Sequence, residues 1–167
     1  IRALLLRAED TNDLHIPLLL WWAIEDKAAS DRDRVLELLK DSALWQAPVF
    51  RDHTASRIAQ RYAAERGESF YTFSGDYLGV YSEWKSRFDP KVASRNLETC
   101  ARLLELASAD AEAEILLRGM DDGLQKETLK TVPTAWESQM NRLLAQKPQS
   151  PALLSAPAVS GAAITAR

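Results

Sequence analysis

Apolar residues recur along this chain at spacings of three and four, the mark of helices with one buried face. Val35, Leu36, Leu38 and Leu39 form one such stripe, and Leu97, Ala101, Leu104 and Ala107 another. Ile58 and Tyr62 are i, i+4 on a segment that the pattern carries as one helix from about Val49 to Glu65, with Gly67 as its stop. Ile115, Leu116, Gly119 and Met120 fall together on a helix ending near Gly123. Trp136, Met140, Leu143 and Leu144 sit at i, i+4, i+7, i+8 on a helix opened by Pro133. Asp13 suits the N-cap of a helix running through Trp21, Trp22 and Ile24, and Ser30 or Asp31 that of the next. Trp45 and Pro48 mark a turn, and Asp89-Pro90 starts the helix from about Lys91 to Ser108.

Residues 68–90 break the rhythm. Tyr77, Tyr81, Trp84 and Phe88 sit at i, i+4, i+7, i+11, which predicts one face of a helix preceded by a turn at Ser74-Gly75-Asp76. A β-hairpin through Ser69 to Phe73 is the alternative, because aromatic residues also favour strands. The last twenty residues change character again, with Pro148, Pro151 and Pro157 and a single charge at Arg167. They read as a poorly packed tail or the start of a further repeat.

Successive helices joined by short turns predict an all-α fold, an α-α superhelix of the HEAT or armadillo kind, over residues 1–147. A globular helical bundle is the structural competitor. Internal repetition is faint: Arg34-Val35-Leu36-Glu37-Leu38-Leu39 echoes Arg102-Leu103-Leu104-Glu105-Leu106-Ala107. The chain starts at Ile1 without a Met, which reads as a piece of something longer.

Composition narrows the functional classes. A net charge of -3 argues against a nucleic-acid binder, which needs a basic surface. The longest apolar run, Ile16 to Ile24, is too short to cross a bilayer, which takes about 20 residues. One cysteine, Cys100, excludes an internal disulfide and a multi-cysteine zinc site. It falls on the apolar side of its helix and reads as an inert thiol. His15 and His53 lack chelating partners at helical spacing. Asp121-Asp122 lacks the alternating oxygen ligands of a calcium loop. Adjacent Trp21 and Trp22 point about 100° apart on a helix and are expected to wedge between helix layers. Arg57 and Arg61 share a face, with Glu65 continuing the row as a partner for Arg61, and read as a solvated or partner-facing stripe. There is no phosphate loop, no GxSxG elbow, no HExxH and no CxxCH in the sequence. These residues assemble no catalytic, cofactor-binding or metal-binding set. The candidate interaction surface is Tyr77, Tyr81, Trp84 and Phe88 with Arg57 and Arg61.

The run Asp13-Leu14-His15-Ile16-Pro17-Leu18-Leu19-Leu20-Trp21-Trp22-Ala23-Ile24-Glu25 is more specific than its composition. It resembles a stretch of the helical-repeat region of the PVC-type haem-binding CxxCH proteins, also described as putative membrane-bound dehydrogenases. Arg34-Val35-Leu36, Leu44-Trp45-Gln46-Ala47-Pro48 and Ile58-Ala59-Gln60-Arg61-Tyr62-Ala63 are similar to the helices and turn that follow there. Cys100-Ala101-Arg102-Leu103-Leu104 and Leu117-Arg118-Gly119-Met120-Asp121-Asp122-Gly123-Leu124 resemble the later repeat. The likeness covers roughly residues 9–146, and the aromatic stretch Ser69 to Phe88 departs from it.

The resemblance implies a parent with a β-propeller, helical repeats and a c-type cytochrome domain, in an extracytoplasmic compartment. Haem c, and a quinone-type cofactor, would belong to other parts of that parent, whose domains would be the partners of this segment. No residue here matches a propeller catalytic position or the haem motif. The implied role is a noncatalytic scaffold. A free-standing adaptor using the aromatic face, and a small helical enzyme using Cys100 or His15, are the other classes.

Overall fold

The computed structural model describes residues 1–76, 79–124 and 132–146, with residues 68–87 and 146 described by their backbone. The described residues are mostly helical. Nine helices occur among them: α1 Arg2–Leu5, α2 Ile16–Ser30, α3 Arg32–Leu39, α4 Ser42–Gln46, α5 Pro48–His53, α6 Ala55–Ala64, α7 Pro90–Leu106, α8 Asp110–Leu124 and α9 Thr134–Gln146. A short 3-10 turn, Ala8–Asp10, follows α1.

Local chemistry sets the boundaries. The Asp13 carboxylate accepts from the backbone N–H of His15 and Ile16, both at 2.8 Å, and so starts α2. Pro17 sits in the first turn of α2, where its missing N–H costs nothing. Asp41 caps α4 by accepting from Ala43 N at 3.0 Å, and Asp89 caps α7 by accepting from Lys91 N at 2.8 Å. Asp31 occupies the cap position of α3 without a side-chain cap bond, its carboxylate lying 3.4 Å from Arg34 instead.

Two sequence expectations are corrected at α4 to α6. Trp45 is not a turn residue but lies in α4, buried, with its indole N–H donating to the Leu39 carbonyl at 2.9 Å. The single helix expected from Val49 to Glu65 is two helices, α5 and α6, broken at Thr54. Thr54 is fully buried and its hydroxyl bonds to the Val49 carbonyl at 3.3 Å. A threonine that bonds back to the preceding turn competes with the helical ladder, which accounts for the break.

The aromatic stretch is a β-ribbon and not a helix. Strand β1 (Gly67–Asp76) pairs antiparallel with β2 (Gly79–Phe88), with Gly67 opposite Phe88 and Asp76 opposite Gly79. Ser74-Gly75-Asp76 is the end of β1 rather than a cap. Gly67, Gly75 and Gly79, with Ser and Thr between the aromatics, weaken any helix here, and aromatic residues favour strands. The ribbon is the departure from the helices that make up most of the described residues. The tail from Pro148 lies outside the described residues.

One apolar core runs through the helices. It contains Leu5, Leu20, Ile24, Val35, Leu36, Leu39, Phe50, Ile58, Tyr62, Leu103, Leu104, Leu116, Met120 and Trp136. The stripes predicted on α3, α7 and α9 bury Val35, Leu36 and Leu39, Leu97, Ala101 and Leu104, and Trp136, Met140 and Leu143. Helices from different parts of the chain pack on one another: α2 on α6, α6 on α8, α3 on α7 and α7 on α9. The α6–α8 seam is the closest. A Cβ at Gly119 would lie 2.0 Å from the Ser56 carbonyl oxygen, and one at Gly123 would lie 2.5 Å from that of Gln60. Only glycine admits backbone at that range.

Candidate functional site

A polar cluster joins the start of α3 and the middle of α7 to the end of α6. Arg32 donates to Thr99 Oγ1 at 2.9 Å and to Asn96 Oδ1 at 2.7 Å. Its guanidinium carbon lies 5.1 Å from the centre of the Tyr62 ring, within cation–π range. Asn96 in turn donates to the Glu65 backbone carbonyl at 2.8 Å and to its carboxylate at 3.3 Å. Arg61 pairs with Glu65 at 2.9 Å and approaches Glu25 at 3.5 Å. The Tyr62 hydroxyl donates to the Ala28 carbonyl at 2.9 Å, and burial pushes its pKa up. Burial also lowers the pKa of Arg32. The polar atoms of this cluster bond one another across four helices. It is a clamp that fixes helix order, and its donors are engaged internally.

Cys100 lies against this cluster and is fully buried. Burial pushes its thiol pKa up to about 12, although the nearby Arg32 charge opposes the shift. A thiol in that state supplies almost no thiolate at neutral pH. His15 is exposed and His53 half-buried. The Asp52 carboxylate beside His53 is engaged by Arg51 at 2.8 and 3.1 Å. Among the described residues no group of three or more His, Cys, Asp and Glu side chains is placed to hold a metal ion. Covalent haem attachment of the c type uses a pair of accessible thiols and an axial histidine. One buried cysteine does not fit that group.

The predicted interaction residues separate. Tyr77 lies outside the described residues. Tyr81 and Trp84 belong to β2, opposite Ser74 and Tyr71, so they do not form a helical face with Phe88. Phe88, at the end of β2, is 66% exposed. Arg61 is the Glu65 partner that the sequence spacing indicated, and Arg57 is half-buried one turn earlier on α6. The structure ties Arg61 into the clamp through Glu65 and Glu25.

An apolar surface that sequence reasoning assigned to the core lies on α2. Pro17, Leu20, Ile24 and Ala28 of this helix are buried. Leu19 and Trp22 remain 55% exposed, and Leu14 just before the helix 82%. Trp21 packs partly against the core, so the pair is split: one indole faces inward and the other solvent. Leu19 and Trp22 are i, i+3, one above the other on the same face. The first half of α2, Ile16 to Ile24, is apolar all round, and such a helix usually has cover on every side. That uniformity was the available signal in the sequence.

No helix among the described residues is long and apolar enough to cross a membrane. No family model matches this chain, and neither a curated protein nor a solved structure is similar enough to be matched to it.

Proposed function

We propose that this chain is a noncatalytic helical-repeat scaffold. Its helix pairs α2–α3 and α6–α7, followed by α8 and α9, would stack in the manner of HEAT repeats. The observation that carries the reading is which helices touch: α2 packs on α6 and α6 on α8, while α3 packs on α7 and α7 on α9. Two parallel rows of helices are how a solenoid extends a core while each repeat touches its neighbours. The Arg32 clamp supports the same reading, since Arg32 of α3 bonds to Asn96 and Thr99 of α7 in the next pair.

In the parent suggested by the family resemblance, such a segment spaces a β-propeller domain and a cytochrome c domain outside the cytoplasm. Haem, and any quinone cofactor, are held by those other domains. The contribution of this segment is then geometric. The exposed Leu14, Leu19 and Trp22 favour a second reading, a free-standing adaptor that docks a protein partner through α2.

The reading frame around this chain tests the first reading. A propeller-like region on one side and a CxxCH motif on the other are expected, and the absence of both overturns the parental role. Small-angle scattering tests the architecture. A compact chain of this length has a radius of gyration of about 15 Å. A clearly larger value is expected for stacked pairs, and a value at the compact figure favours a bundle.

A further inference from the structure

The outer side of α2 is apolar at its centre and polar at its ends, in a self-complementary order. Leu19 and Trp22 are each 55% exposed, and Ala23 beside them is exposed. His15 and Asp26 are also exposed and continue the same line one turn to either side. Positions 15, 19, 22 and 26 are spaced by four, three and four residues, the spacing of a seam between two packed helices. The inner side is already used: Leu20, Ile24 and Ala28 are buried, and Glu25 reaches Arg61 at 3.5 Å.

Two copies of α2 laid antiparallel, Leu19 of each against Trp22 of the other, satisfy this line throughout. The same register sets His15 opposite Asp26 of the other copy, twice by symmetry, and Ala23 opposite Leu18. Leu14, 82% exposed, then falls over the aliphatic stem of Lys27. Within its own chain Asp26 meets its neighbour Lys27 at 2.6 Å, with both side chains more than half exposed, and a carboxylate has room for a second donor. The neighbouring registers fail. Centring on Trp22 sets Leu19 against Glu25 and Leu18 against Asp26, burying carboxylates against apolar groups. Centring on Leu19 sets Asp26 against Asn12 and His15 against Ala23, so neither polar end finds its complement. A parallel pair sets Asp26 on Asp26 and aligns the two helix dipoles, both unfavourable.

From this arrangement we infer that α2 is a homodimer interface, its occupant a second copy of this chain packed antiparallel with Leu19 on Trp22. A twofold contact of this kind closes on itself and leaves no growing end. The inference rests on the exposed α2 of the adaptor reading, whose partner it names, and is independent of the parental scaffold role.

Sedimentation equilibrium of the whole chain tests it, with far-UV circular dichroism to follow the helices. The unsubstituted chain is expected to dimerise. Trp22→Glu, at an exposed position, should keep the helices and weaken the dimer about tenfold or more. His15→Glu sets acid against Asp26 at both ends and should weaken it about threefold or more. His15→Glu with Asp26→Lys restores opposite charges only in the antiparallel register and should recover the dimer. Oxidising a mixture of His15→Cys and Asp26→Cys chains should link unlike chains, with the buried Cys100 taking no part. Links between like chains overturn the antiparallel packing, and a dimer indifferent to Trp22→Glu overturns the interface. A chain that stays monomeric at all concentrations overturns the dimer. Iodide quenching of that monomer, compared with Trp22→Phe, then separates the two readings. A quenchable Trp22 leaves α2 to a different protein partner, whereas a shielded Trp22 overturns the adaptor reading as well.

Discussion

Gly119→Ala is the most direct test of the packing described above. The new methyl group would sit 2.0 Å from the Ser56 carbonyl oxygen, 2.8 Å from the carbonyl carbon and 3.0 Å from Cα. All three are backbone atoms of α6, so no side chain can rotate away. For ordinary contact the two helices must part by roughly 1 Å or more. Parting them loosens the seam along its length, including the second close approach at Gly123.

The opposing term is helix propensity, which favours Ala over Gly by about 1 kcal/mol. Overpacking costs about 1–3 kcal/mol where side chains can adjust, and the rigid backbone contact here belongs at or above the upper end. The net expectation is a loss of about 2 kcal/mol. At a chain of this size that lowers the melting temperature by roughly 4–8 °C. Urea unfolding followed by circular dichroism reads the free energy, and thermal unfolding the shift. Asp122→Ala, at an exposed site in the same helical turn, is the control and should stay within about 0.5 kcal/mol of the parent chain. A Gly119→Ala variant as stable as the parent, or more so, would refute the close α6–α8 approach, because propensity alone would then be acting.

Other outcomes follow from the same contacts. Arg32→Leu leaves Asn96 and Thr99 short of a buried partner and should cost about 2–4 kcal/mol in urea unfolding, against under about 1 kcal/mol for exposed Arg34→Leu. Asp89→Ala removes the cap of α7 and should cost about 1 kcal/mol, with Asp89→Asn losing much less. The backbone N–H groups of Ile16 and His15 hold the Asp13 carboxyl below its usual range. Its contribution is therefore present above the unfolded carboxyl pKa and lost as pH falls through the folded one. Asp13→Asn should flatten that acid limb of stability, and an unchanged limb would count against the cap. For Cys100 the sign is reversed. Its folded pKa, about 12, lies above the unfolded value, so its contribution is present below pH ~9 and declines as pH rises toward the folded value. In native buffer Cys100 should alkylate at the rate of global unfolding, and labelling at the rate of a free thiol would contradict its burial.

The helical stripes were legible because burial on a helix imposes a period that survives in one dimension. Val35, Leu36 and Leu39, or Trp136 and Met140, needed no knowledge of their neighbours to be placed inward. Asp13 was legible as a cap, and Asp89-Pro90 as a helix start, for the same reason: such signals act within three residues of themselves. Tyr81, Trp84 and Phe88 misled because their spacing satisfies a helix while the glycines and aromatics around them satisfy a strand. Pairing with β1 decided between them, and pairing is not a local property. Thr54 likewise breaks a helix whose apolar pattern continues without interruption.

For the candidate surfaces the division is sharper. Sequence spacing could join Arg61 to Glu65, four residues away. It could not join Arg32 to Asn96 and Thr99, more than sixty residues on. Nor could it tell which of Trp21 and Trp22 would face solvent, since an apolar helix shows no preferred side until its neighbours are in place.

The sequence by itself determined that this chain is mostly helical, where most of its helices start, and which of their faces are buried. Those are consequences of backbone propensity and of a repeat set by 3.6 residues per turn. Tertiary structure alone decided which helices pack on which, the glycine contact of α8 with α6, the Arg32 clamp and the two strands of the ribbon. Each depends on atoms brought together from distant segments, whose free energy appears only once the chain has closed around them.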